Sequence, residues 1–202
     1  MEIDKKKSCT ILAILYVLVS YLSPFIWLGL FSQEDAEWID FVILAIPFFL
    51  GIFNAVYIKI NYEKISRSTL LRCAILIKYL LIPMYIVGGF MIIVSLVFMV
   101  LPFFFIGVFF AFLLSVYGYA TMLGGDAFSL AYIKKARLEG VHSTLLSRIG
   151  MILQFFFSLD VISLAVLSLK EKKYVGATVA VIIALILGFV GIVIGIIACL
   201  IL

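Results

Sequence analysis

Charge is scarce in this chain. Asp, Glu, Lys and Arg make up 13% of its 202 residues, apolar residues make up 66%, and the mean hydropathy is +1.33. A soluble domain is about a quarter charged, and a water-facing surface cannot be assembled from so few charges. That excludes a soluble globular domain, a disordered chain and a nucleic-acid-binding module. Histidine occurs once, at His142, too rarely for the usual metal sites. The three cysteines, Cys9, Cys73 and Cys199, are odd in number and form no CxxC, against a disulfide framework or a thiol-redox enzyme. HExxH, GxSxG and Walker A motifs are absent. The expectation is a protein that is not an enzyme, with no cofactor, no metal and no nucleic-acid partner.

What the chain does have is long apolar runs, the mark of an all-α polytopic membrane protein whose partner is the lipid bilayer. The expected architecture is one transmembrane domain over 1–202: six helices, short loops and two short cytoplasmic amphipathic segments. The first span covers about residues 8–31; it is too long for a signal-peptide core, no small-residue cleavage site follows, and it reads as retained. The second covers about 41–60. The run 79–125 carries no charge, is too long for one span, and divides at Leu101-Pro102 into spans of about 79–100 and 103–123. Gly124-Gly125-Asp126 reads as a helix stop followed by a cap. The last two spans are about 149–169 and 175–201. The amphipathic segments are Asn61–Lys78, leading into the third span, and Asp126–Glu139.

Cations set the orientation. With both termini cytoplasmic, inside loops hold 12 of the 15 Lys and Arg, and only Lys170, Lys172 and Lys173 fall outside. The first outer loop carries Glu34, Asp35, Glu37 and Asp40. A five-crossing alternative, in which 149–169 is re-entrant, would bring every cation inside. Six crossings are preferred here because that run has spanning length and no Pro or Gly-Gly break. The expected location is the cell membrane.

Three features are candidates for function. In the last span, small residues recur at Ala177, Ala180, Ala184, Gly188, Gly191, Gly195 and Ala198, spaced 3, 4, 4, 3, 4 and 3 apart. Such a seam admits a close helix neighbour, either within the chain or as a homo-oligomer or partner subunit. A second stripe, Ser143, Ser147, Gly150, Gln154 and Ser158, shares one helical face. Asp160 is the only carboxylate deep in an expected span, about 16 Å along the helix from Ile149, where an ionised group is costly. With no cation expected at that depth, it reads as hydrogen-bonded structural glue, as part of an ion path with Gln154 and Asn54, or as the mark of a shifted or re-entrant span that puts it near water. Lys78 and Arg148, at span ends, read as snorkelling anchors.

The residues Ile133-Lys134-Lys135, Glu139-Gly140 and the ILQFFFSLDVISLAVLSLKEKKY run from Ile152 resemble a group of uncharacterised small membrane proteins of Gram-positive bacteria. That resemblance implies a bacterial membrane protein and no particular chemistry. Size and span count also resemble the substrate-binding membrane subunits of vitamin transporters, but their small-xxx-small motif is missing from the first span. Two functions remain: a non-enzymatic scaffold, accessory or regulatory subunit, or a transport component binding a small solute or ion between spans through Asp160, Gln154 and Asn54.

Overall fold

The computed structural model describes residues 2–31, 38–97 and 104–187, and all regular structure among them is helical. In order these are α1 (Glu2–Phe31), α2 (Trp38–Asn61), a 3-10 turn (Tyr62–Lys64), α3 (Arg67–Val97), α4 (Phe104–Leu138), α5 (Thr144–Leu153), α6 (Leu159–Lys170) and α7 (Val175–Leu187). The first four α-helices are long and apolar enough to cross a membrane, which fits a multi-pass membrane protein. α4 alone has 35 residues, about 50 Å at 1.5 Å per residue, well beyond a hydrocarbon core of about 30 Å. α3 pairs most extensively with α4, α4 packs next on α2, and α1 lies against α2 and α3.

The buried core gathers toward one end of this bundle. Cys9, Tyr16, Leu70, Cys73, Ile77, Phe128 and Tyr132 belong to one apolar cluster with no exposed surface. Toward the other end α3 turns outward-facing: Ile86, Val87 and Phe90 are each more than half exposed, as lipid-contacting residues are.

The structure departs from the sequence reading in three places. First, Gly124-Gly125 does not stop a helix; α4 runs through it without a break. A Cβ on Gly51 would collide with the Gly124 backbone, and one on Gly124 with the Tyr16 ring. The two glycines are therefore contact points where α2 and α1 approach α4 closely, and tertiary packing outweighs their low helix propensity. Second, the two amphipathic segments are not separate elements. From Arg67 the first is the start of α3, preceded by the end of α2 and the 3-10 turn, and the second is the end of α4; their apolar residues Leu70, Leu71, Ala74, Phe128 and Ile133 lie in the core.

Third, no continuous helix covers 149–169. α5 ends at Leu153, a turn follows, and α6 begins at Leu159. Ser158 sits in the left-handed region at φ 69°, which reverses the chain. α6 then folds back on α5: the Ser163 hydroxyl lies 3.5 Å from the Gly150 carbonyl, and a Cβ on Gly150 would touch Leu167. The Phe157 ring at the tip meets Tyr85 edge-on at 4.8 Å. Both ends of the hairpin lie at the same end of the bundle, because Glu171 after α6 bonds Arg67 at the start of α3. Lys170–Lys173 is thus on the same side as Arg67 and Glu139, not opposite them.

Candidate functional site

Three charged side chains meet inside the bundle. Lys78 on α3, Asp126 on α4 and Asp160 in the first turn of α6 are each 1–2% exposed. The Lys78 ammonium donates to Asp126 Oδ1 and to Asp160 Oδ2. Lys78 lies 11 residues into α3, about 16 Å from its start, so it cannot act as the surface anchor its position at a span end suggested. Asp126 is no helix cap: it sits within continuous α4, and its Oδ2 is buried without a hydrogen-bond partner.

Local structure aims each member. The Gly124-Gly125 pair lets Tyr16 lie against α4, where its hydroxyl donates to the Thr121 carbonyl at 2.6 Å. Ile77 fills the space beside Gly125, which holds α3 and α4 close enough for Lys78 to reach Asp126. The hairpin break puts Asp160 at the N-terminal end of α6, where the helix dipole favours a carboxylate. Its backbone N–H bonds the Phe156 carbonyl at 3.1 Å.

Of the sequence candidates, Asp160 and Gln154 are brought together. Gln154 Nε2 donates to the Asp160 and Gly150 carbonyls, both at 3.4 Å, and its Oε1 is buried unpartnered. Asn54 on α2 is buried with neither amide atom bonded, and it is not among the partners of the triad. The expectation that Asp160 lacks a cation is overturned by Lys78. Lys78 and Asp126 were discoverable, since they bound the charge-free run at equal distances from Pro102. A helical hairpin folded there brings them to the same depth.

The last-span seam falls partly within α7. Ala177, Ala180 and Ala184 are exposed, so among the described residues no helix covers the seam over these positions. Thr178 is the buried position, bonded to Tyr79 and Ser168 at 2.9 Å each. Gly188, Gly191, Gly195 and Ala198 lie outside the described residues.

A second polar network closes the basic end. Arg67 pairs with Glu139 and Glu171, and Lys173 also reaches Glu171 at 3.0 Å. Tyr132 donates to Glu171 at 2.7 Å, so its oxygen accepts from His142 Nε2–H at 3.0 Å. That leaves His142 Nδ1 buried without a partner. Burial lowers the His142 pKa, with the Glu171 charge opposing. Burial disfavours the ionised form of Glu171, but hydrogen bonds from Tyr132 and Lys173 and the Arg67 charge outweigh it, and its pKa is lowered.

No curated protein and no solved structure matches the chain. A family of unknown function (DUF6652) matches residues 6–173. The match takes in the whole triad, the α5–α6 hairpin and the network around Glu171, and ends before α7 begins. It covers most of the sequence, and the chain belongs to this family.

Proposed function

We propose that the protein is a non-enzymatic, multi-pass bacterial membrane protein that acts as a transport component, binding a proton or a monovalent cation at Lys78, Asp126 and Asp160. One observation carries this reading: two carboxylates share one ammonium where all three are 1–2% exposed. A purely structural pair needs only one acid. The second leaves the fully ionised set one positive charge short of neutral, in surroundings where an uncompensated charge is costly. A discontinuous helix supplying one of the acids fits the same reading, since broken helices commonly frame ion sites within membranes. The orientation follows the cations: all Lys and Arg of the hairpin ends join those of α1, α3 and α4 on the cytoplasmic side, with residues 149–169 re-entrant.

The test is flux into proteoliposomes under an imposed pH or potassium gradient, with thermal stability measured in parallel. Wild type should dissipate one of the gradients. Asp126→Asn, which leaves the neutral Lys78–Asp160 pair, should keep the fold and lose the flux. Equal flux in Asp126→Asn, or none in wild type, would sink the transport reading.

The alternative is a scaffold, accessory or regulatory subunit. It draws on the exposed Ala177, Ala180 and Ala184, which offer a second copy or a partner subunit a close approach. A silent wild type that co-purifies as a defined oligomer would favour it.

A further inference from the structure

We infer that the basic end of the bundle carries a binding site for the phosphate of an anionic phospholipid. An open cleft of about 500 Å³ lies between the 3-10 turn, the start of α3, the end of α4 and Lys173. Four cations line it, Lys64, Arg67, Lys135 and Lys173, against two acids, Glu63 and Glu139; a third acid, Glu171, pairs with Arg67 and Lys173 and leaves one cation in surplus. The cations are placed differently. Lys135 is fixed in the wall by the Tyr62 and Ile65 carbonyls, which both accept from its ammonium. Arg67 spends Nε on Glu171 and one terminal nitrogen on Glu139. Lys64 is exposed and has no ion-pair partner among the described residues.

The backbone adds donors of the right kind. Ser66 precedes α3, and its carbonyl accepts from the Thr69 and Leu70 N–H groups at 3.0 and 3.1 Å. The N–H groups of Arg67 and Ser68, both in the cleft wall, come first in a 31-residue helix and have no intrahelical acceptor. An anion there meets the positive end of that helix together with a surplus of cationic side chains.

The flanks choose a lipid over a free ion. Ile60, just before the 3-10 turn, is 75% exposed, and Leu138, next to Glu139, is 66% exposed. A phosphate seated between Lys64 and Arg67 leaves acyl chains free to run along these side chains and on to the apolar outer faces of α2 and α4. Neutral lipids present the same chains, but their zwitterionic headgroups do not answer the surplus cation.

Lipid retention on the intact protein tests this, by native mass spectrometry from nanodiscs of phosphatidylcholine with or without phosphatidylglycerol. Wild type should retain phosphatidylglycerol through detergent exchange. Lys64→Gln/Lys173→Gln should weaken retention by about thirtyfold, the effect of removing two cations beside an anionic lipid, whereas Lys5→Gln/Lys6→Gln, away from the cleft, should not. Equal loss in both double variants would reduce the effect to general surface charge and overturn the site. Competition by millimolar inorganic phosphate that displaces the lipid from wild type would overturn the lipid assignment in favour of a soluble phosphate ligand. Lys173 also pairs with Glu171, so Lys64→Gln alone, which should weaken retention about fivefold at an unchanged melting temperature, separates lost binding from lost folding.

Discussion

Removing Lys78 and removing its partners are different experiments. Lys78→Met strands two buried carboxylates, and breaking a buried ion pair from one side costs about 3–5 kcal/mol. The triple variant Lys78→Met/Asp126→Asn/Asp160→Asn removes every charge at once and should recover most of that loss. Unfolding in a mild detergent separates the two, and a triple variant no more stable than Lys78→Met would contradict the pairing. At the other polar network, His142 and Glu171 both have lowered pKa values in the folded state. For each, the contribution to stability is complete above the unfolded pKa and is lost as pH falls toward the folded one. The His142 part should fade below its ordinary value of 6.5 and the Glu171 part below 4.5. Melting temperature should therefore fall in two steps on acidification, and His142→Gln should remove the upper step; an unchanged upper step in that variant would remove His142 from the account.

At the scale of elements, glycines discriminate packing from mere tolerance. Gly51→Ala pushes a methyl group into the Gly124 backbone, which cannot rotate away, and should destabilise by about 1–3 kcal/mol. Gly88 and Gly89 have nothing within 4 Å of an added Cβ, so alanine there should be neutral or gain up to about 1 kcal/mol from helix propensity. Equal melting temperatures for all three would refute the α2–α4 contact. The same glycines explain what was legible beforehand. The apolar run lengths pointed to four long helices, because twenty or more uncharged residues have few other solutions, but not to where α3 begins or α4 ends. Gly124-Gly125 was misread because a Gly pair serves equally as a breaker and as a close-contact surface, and only the neighbour decides. The break at Gln154–Ser158 carried no Pro or Gly, yet Gln154, Ser158 and Asp160 crowd three polar groups into seven residues of an apolar stretch. Asp160 was found because it stood alone; its partners were hidden because each sat beside a plausible span end.

For the whole molecule the re-entrant hairpin makes a topological commitment. Single cysteines at Lys172 and at Lys134 should be labelled from the same side of the membrane, because Glu171 and Glu139 share Arg67. Labelling from opposite sides would restore a full crossing by residues 149–169.

The hairpin also sets an order of assembly. Asp160 is synthesised 82 residues after Lys78 and 34 after Asp126, so the first two charges can meet before Asp160 leaves the ribosome. α5 and α6 have only 10 and 12 residues, about 15 and 18 Å, too short for the insertion machinery to accept either as a crossing. The hairpin must therefore enter sideways, into a slot that α3 and α4 have already built. A nascent chain stalled once Lys173 has cleared the ribosome should show the hairpin protected from protease only when Lys78 and Asp126 are intact. Late in biogenesis, then, the arriving carboxylate turns a two-group ion pair into a competition between two acids for one lysine.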